Sequence, residues 1–244
     1  MFDDLAELDS IDTSAYSKEE PASNQQRSYG GNNNRGNYNG GGHGNNNYGQ
    51  NRSNGSGGGN FFKHKEDVLE EPYIPITIYV DRDFPPEIKT ALYNIASKLI
   101  NKNITVRYNG DDIEFHERMA GLSSKYTEVF IPWRNFNSID SKHYFNGLTC
   151  NHLAQKNFSG WDKIPDSVKA MLARNVRMVF GDKNNSITLC VITWSKDGAS
   201  KVVEVNKDTG RAAFIIKTAS SYGFPVINIG KPNSENILEK IFHL

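Results

Sequence analysis

The segment from Ser186 to Ile229 restricts the fold more than any other, because its hydrophobic period changes twice along its length. Ile187 to Thr193 is a continuous apolar and β-branched run, the pattern of a strand buried on both faces, as parallel strands usually are. From Gly210 to Tyr222, Ala213, Ile216 and Ala219 recur at helical spacing, and Gly223 stands where it would close that helix. Phe224 to Ile229 is a second short apolar run. Strand, loop, helix and strand in that order make a βαβ unit. Open α/β sheets bind ligands in the loops that leave the carboxyl ends of their strands. Trp194 to Gly198 and Asp208 to Ala213 are therefore expected to line any site.

The same alternation extends backwards through the chain. Ile74 to Val80 reads as a first strand, and Asp81 to Pro86 as a turn whose last proline suits the first position of a helix. Ile88, Leu92, Ile95 and Leu99 mark one face of a helix that runs to about Asn101. Ile104 to Arg107 is expected as a second strand ended by Tyr108 to Asp112, Ile113 to Leu122 as a helix, and Thr127 to Pro132 as a third strand. Residues 138–164, rich in His, Asn and Lys, read as irregular. Asp166 is placed to cap a helix through Val179, with Val168, Leu172 and Val176 inward, and Ser234 to cap a short final helix. Strands alternating with helices over 73–244 argue for a three-layer α/β domain with a mostly parallel sheet.

Composition separates that domain from what precedes it. Twelve of the 21 glycines fall between Ser23 and Asn60. Residues 1–72 carry 11 acidic and 6 basic side chains, whereas 73–244 carry 17 and 22, a net charge of +5. That excess is mild and does not match a dedicated duplex-DNA binder. Residues 1–22 form an acidic stretch in which Phe2, Leu5, Leu8 and Ile11 recur every third position. Two readings fit it: a solvated disordered tail, or a short motif that folds on a basic groove of a protein partner.

Residues 23–72 begin as low-complexity Gly/Asn sequence, in which 23–60 hold three arginines, three tyrosines and no carboxylate. Such a segment buries too little apolar surface to offset chain entropy and is expected to be disordered. It is either a tether or a weak contact for single-stranded nucleic acid. Two cysteines, Cys150 and Cys190, are too few for a disulfide framework or a cysteine-rich zinc site. Cys190, inside an apolar run, reads as a small buried hydrophobe. With no apolar run of membrane-spanning length and an acidic amino terminus lacking a secretory h-region, a soluble cytoplasmic protein without membrane contact is expected.

Five segments together carry a resemblance. They are Asp81-Arg82-Asp83-Phe84-Pro85-Pro86, Glu128 to Asn137 (E-V-F-I-P-W-R-N-F-N), Ala173-Arg174-Asn175, Thr193 to Gly198 (T-W-S-K-D-G), and Gly223 to Asn228 (G-F-P-V-I-N). In this order they resemble the SLOG superfamily, the Rossmann-like group that includes the DNA-processing protein DprA and the Lonely Guy proteins. More narrowly, they resemble its YspA/cpYpsA-related branch, common in bacteria and bacteriophages. The resemblance covers 74–230 and implies a Rossmann-like domain that binds a nucleotide or nucleotide derivative.

Departures from the family pattern bear on activity. The family's S-G-G-A-x-G-A-D loop is contracted here to Tyr108 to Asp112, and Thr209-Gly210-Arg211-Ala212-Ala213 stands in place of T-G-G-T-G. Glycines in such loops let backbone N–H groups approach a phosphate at a helix amino terminus. Arg211 can supply charge in their stead, because a guanidinium pairs with phosphate in a fork. Alternatively, Arg211 fills the ligand's space with Asp111 or Asp112 as its ion partner. The Lonely Guy motif P-G-G-x-G-T-x-x-E is absent.

The expected ligand-binding set is Asp81, Arg82, Asn109, Gly110, Asp112, Trp133, Arg134, Trp194, Asp197, Gly198, Thr209, Gly210 and Arg211. Trp133 and Trp194 are either stacking faces for a base or packing at strand ends. Arg174 and Asn175 either reach the crevice or make structural hydrogen bonds. Glu114 and Glu117 follow the contracted loop, where a glutamate serves as a base in glycosidic cleavage or merely lines an exposed helix face. His116, His143 and His152 lack metal-site spacing, and no catalytic or metal residue is assigned. Three functions follow from different classes. One is a nucleotide-binding module without turnover, favoured by the glycine loss and the missing glutamate motif. The others are a nucleotide N-glycosidic hydrolase and an accessory protein for single-stranded nucleic acid.

Overall fold

The computed structural model describes residues 73–144, 148–181 and 186–244. The expectations for the acidic stretch and the Gly/Asn-rich segment fall outside the described residues. Six strands, β1 (Ile76–Ile78), β2 (Val106–Asn109), β3 (Thr127–Ile131), β4 (His143–Tyr144), β5 (Val191–Thr193) and β6 (Val226–Asn228), form one sheet in the order β4-β3-β2-β1-β5-β6. Every pairing between neighbours is parallel. Six helices accompany them: α1 (Pro86–Asn101), α2 (Ile113–Ala120), α3 (Leu148–Lys156), α4 (Asp166–Phe180), α5 (Ala212–Ser221) and α6 (Ser234–Phe242). The domain is a three-layer, Rossmann-like α/β fold.

Strand alternation assigns the two faces. Thr77, Arg107 and Glu128 are in register across β1, β2 and β3, so they share a face. Thr77 Oγ1 donates to the Met178 carbonyl at 2.7 Å, and Arg107 Nη1 reaches the same carbonyl at 3.4 Å. That face therefore meets α4. Arg107 is buried and is satisfied by Glu128 at 3.0 Å and by Ser186, whose carbonyl and hydroxyl accept at 2.5 and 2.7 Å. Ile76, Ile78, Val106 and Tyr108, on the opposite face, join the core that contains Leu92, Ala96 and Leu99 of α1. A second cluster forms where α3 and α4 meet Phe136, Ile139 and Phe214.

Several local expectations need correction. β2 begins at Val106 rather than Ile104 and runs to Asn109, so Asn109 is a strand residue. β5 is shorter than the apolar run that contains it: Ile187 and Leu189 are exposed, and only Val191–Thr193 pair as strand. Burial alternates through that run, with Thr188 and Cys190 inward, and its backbone still bonds to the β1 segment, the Leu189 N–H donating to the Pro75 carbonyl at 2.8 Å and the Cys190 carbonyl accepting the Thr77 N–H at 3.1 Å. Residues 138–164 are not irregular, since β4, α3 and a 3₁₀ turn at Trp161–Lys163 lie within them.

The caps also differ. α4 starts after Pro165, leaving Asp166 in its first turn, 3.0 Å from Lys169. α6 starts after Asn233, at φ 70°, while the Ser234 hydroxyl turns back to the Ile229 carbonyl at 3.3 Å. α5 begins at Ala212, two residues later than its apolar spacing suggested, and Gly223 at φ 80° follows it as expected. Cys190 is buried, and burial pushes its thiol up to about 12. Among the described residues, no helix is long and apolar enough to cross a membrane.

Candidate functional site

Strand order reverses between β1 and β5, with β2, β3 and β4 to one side and β6 to the other. Such a reversal opens a crevice outside the carboxyl ends of the two central strands. Asp81, just beyond β1, lies in it and is only 2% exposed. Its Oδ1 accepts the Asp83 N–H at 2.9 Å, and its Oδ2 accepts the Tyr79 hydroxyl at 3.3 Å. Burial pushes the Asp81 carboxyl up to about 6, against the Arg211 charge and the Asp83 N–H, while Asp111 and Asp83 push it further in the same direction.

Arg211 enters from the other side of the reversal. A 3₁₀ turn at Lys207–Thr209, boxed by Asn206, leads into Gly210 at φ 63°, a conformation that favours glycine. A Cβ added at Gly210 would meet nothing within 4 Å, so the residue is required by its backbone and open space lies beside it. Arg211 then caps α5, where the helix carries partial positive charge. Its guanidinium stands 3.5 Å from Asp81 Oδ1 and 3.4 Å from Asp83 Oδ2, with the side chain 16% exposed. Arg211 thus bridges the carboxyl end of β1 and the amino end of α5. It pairs with the carboxylates of Asp81 and Asp83, whereas Asp111 and Asp112, the partners in the alternative reading, pair with Arg174 and Lys89.

The loop after β2 is committed to holding the fold. Asn109 Oδ1 accepts the Val80 N–H at 2.8 Å, and Nδ2 donates to the Val80 carbonyl at 2.6 Å, so the side chain carries the pairing of β1 on to Val80. A Cβ on Gly110 would lie 2.7 Å from Ile139 Cδ1 and 3.0 Å from Ile131 Cγ2. Gly110 is therefore there for packing rather than for phosphate approach. Asp111 is gripped in bidentate fashion by buried Arg174, whose Nη2 lies 2.9 Å from Oδ2. Arg174 Nε and Nη2 also donate to Asn175 Oδ1, at 3.1 and 2.9 Å. Asp112 caps α2 by accepting the Phe115 N–H at 2.7 Å, and pairs with Lys89 at 2.5 Å. Lys89 Nζ also donates to the Arg82 carbonyl at 2.6 Å, which ties the loops after β1 and β2 together.

Beyond β5, the Trp194 ring meets Phe84 edge-on at 5.2 Å. Asn228, at the end of β6, fixes the following turn: its Oδ1 accepts the Ser195 N–H at 3.3 Å, and its Nδ2 donates to Ser195 Oγ and the Ala199 carbonyl, both at 2.7 Å. Asp197 accepts the hydroxyls of Ser195 and Thr209 and the Ala199 N–H. Burial acts to raise its carboxyl, but these donors outweigh it and hold the group below the usual carboxylate range. Asp197, Thr209 and Gly198, at φ 71°, therefore shape the rim of the crevice and carry Gly210 and Arg211 into position.

Trp133 and Arg134 stand apart from this group. They follow β3, two strands from β1 and three from β5, roughly 10 and 14 Å at usual strand spacing. Trp133 packs on Phe136 with ring centroids 5.0 Å apart, and Arg134 leans over Tyr144. Glu114 and Glu117 are on the exposed face of α2. His116 accepts or donates at the Tyr108 hydroxyl, 2.9 Å away, His143 stacks on Phe130, and His152 is exposed on α3. Among the described residues, no group of three or more His, Cys, Asp or Glu is arranged to hold a metal ion. Asp83, the second partner of Arg211, lies in the turn from Asp81 to Phe84 that is expected to help form the crevice, although only Asp81 and Arg82 are singled out there. Lys89 left no signal, since its helix face reads as solvent. Compared with family models, curated proteins and solved structures, the chain matches none.

Proposed function

We propose that this domain is a binding module for a nucleotide or nucleotide derivative, of the SLOG kind, which holds its ligand at the β1/β5 reversal without turning it over. One observation carries the reading: Arg211 lies at the amino end of α5, between Asp81 and Asp83, in pairs of 3.5 and 3.4 Å. Tight charge-assisted pairs run at about 2.7–2.9 Å, and both of these are longer. A phosphate offers the guanidinium a shorter, forked pair and adds the partial charge of α5. The open space beside Gly210 gives a phosphate somewhere to sit. Asp81 is then placed to meet a ribose hydroxyl or a base N–H.

Calorimetric titration with a panel of mono-, di- and cyclic nucleotides tests the reading. Wild-type protein should bind at least one of them, and chromatography should recover that nucleotide intact. Arg211→Ala should weaken binding about ten- to a hundred-fold, the range for losing a charge-assisted pair. Its melting temperature should fall somewhat at pH 7.5, where buried Asp81 loses its cation, and barely move at pH 4.5, where Asp81 is protonated. If Arg211→Gly instead leaves binding unchanged or creates it, Arg211 is a plug and the crevice is shut. If no nucleotide binds at all, the proposal fails.

A further inference from the structure

We propose that the groove between the loop after β3 and the edge strand β4 binds single-stranded nucleic acid, as a site separate from the crevice. Arg134, Asn135, Asp140, Ser141, Lys142 and Tyr144 line it. The Arg134 guanidinium lies over the Tyr144 ring, 5.2 Å from its centroid, and Nη2 donates to the Tyr144 hydroxyl at 3.4 Å. Arg134 and Lys142 are exposed, while Tyr144 is half-buried.

The groove is built before any ligand arrives. Asn135, Asn137 and Ser138 have φ of 60°, 52° and 61°, left-handed values that asparagine tolerates and that a serine adopts rarely. Packing and one hydrogen bond hold the loop in this form. Phe136 is buried against Trp133, Ile139 is buried beside Gly110, and Asn137 Nδ2 donates to the Gly110 carbonyl at 2.9 Å. On the opposite wall, Ser141 Oγ donates to the Val129 carbonyl at 2.6 Å and accepts the His143 N–H at 3.0 Å. Both walls are fixed, and the two cations at the groove face water.

Exposed cations beside a partly open aromatic ring hold single strands with little sequence preference: charge meets phosphate, and the ring meets a base. Duplex is a poorer match. The net charge of 73–244 is only +5, and Asp140 interrupts the basic lining. An acidic peptide would use the cations but gives the Tyr144 ring no base to stack.

The test uses the full chain and a fluorescent oligothymidine in anisotropy titrations from about 50 to 200 mM salt. Wild-type protein should bind, with affinity falling as salt rises. The Arg134→Ala/Lys142→Ala double variant should bind at least tenfold more weakly, with a logarithmic salt slope shallower by about 1.4, for two lost phosphate contacts on a single strand. Tyr144→Leu should lose about five- to a hundred-fold with its slope unchanged, and Tyr144→Phe should keep most of the affinity. Arg211→Ala should leave oligonucleotide binding intact, which separates this groove from the crevice. The proposal is overturned if wild-type protein does not bind, if the double variant keeps both affinity and slope, or if duplex or an acidic peptide binds better than the single strand.

Discussion

At Asp81, burial and charge pull in opposite directions. Burial raises its carboxyl to about 6, and Arg211 opposes the rise. Because the folded value lies above the unfolded one, the native state holds the proton more firmly. The penalty for ionising Asp81 is absent below the unfolded value near 4 and complete above about 6, so this group lowers stability as pH rises through that window. Asp81→Asn should therefore gain on wild type by on the order of 2–3 kcal/mol between pH 4 and pH 7.5, read from urea unfolding at the two pH values. The same proton bears on binding. A phosphate that draws Arg211 away leaves the Asp81 carboxylate facing a like charge, which protonation relieves. Affinity for a cyclic nucleotide, whose phosphodiester does not titrate here, should rise several-fold from pH 8 to pH 6, and the Asp81→Asn variant should flatten the profile. A wild-type affinity that is level over this range would count against the pairing.

The Asp111–Arg174 pair behaves differently, because its two halves are unequally buried. The Arg174 side chain is 1% exposed and that of Asp111 13%. Removing the carboxylate takes the Asp111 charge from a buried guanidinium that keeps its bonds to Asn175, whereas removing the guanidinium leaves a carboxylate that water can reach. Asp111→Ala should lose about 3 kcal/mol or more, and Arg174→Met distinctly less. Denaturant unfolding of both variants checks the order, and equal losses would contradict it.

Among the elements, the turn after β2 shows how a motif residue comes to serve packing. Gly110 stands where the resembled family has a longer glycine loop, yet an added Cβ would lie 2.7 Å from Ile139 Cδ1. Gly110→Ala should cost about 1–3 kcal/mol through overpacking. Ile139→Val removes the clashing methyl, so it should restore much of the loss in the double variant; a purely additive double variant would mean that the clash is relieved elsewhere.

Helical periodicity identified α1 because Ile88, Leu92, Ile95 and Leu99 mark one face, and α5 because Ile216 stands between Ala213 and Ala219 at helical spacing. It failed for α3, where the buried positions are Cys150 and Ala154 and the most conspicuous apolar residue, Leu148, is 88% exposed. Small buried residues four apart carry almost no hydrophobic signal. β4 escaped notice because two residues cannot display an alternation. β5 was over-extended because an apolar run does not reveal that Ile187 and Leu189 stay exposed while Thr188 and Cys190 turn inward.

At the scale of the whole molecule, the alternation of strand and helix made the parallel α/β class legible, and the carboxyl-end rule brought Asp81, Gly210 and Arg211 to one crevice. Sheet order was not legible, since short β-branched runs do not say which strands are neighbours. That order is what carries Trp133 and Arg134 toward the β4 edge and away from the reversal. The partners of each charge were hidden for the same reason: Asp111 meets Arg174 and Asp112 meets Lys89 only once the helices are laid against the sheet.

The central claim is that a nucleotide sits at the β1/β5 reversal. Backbone amide NMR of the full chain, titrated with the nucleotide that binds most tightly, tests it most directly. The largest shifts should fall on Asp81, Asp83, Gly210, Arg211 and Ala212, with Arg134 and Tyr144 little moved, and the Arg211→Ala variant should lose them at the same concentration. Shifts centred on Arg134 to Tyr144, or a wild-type pattern retained in Arg211→Ala, would contradict the account.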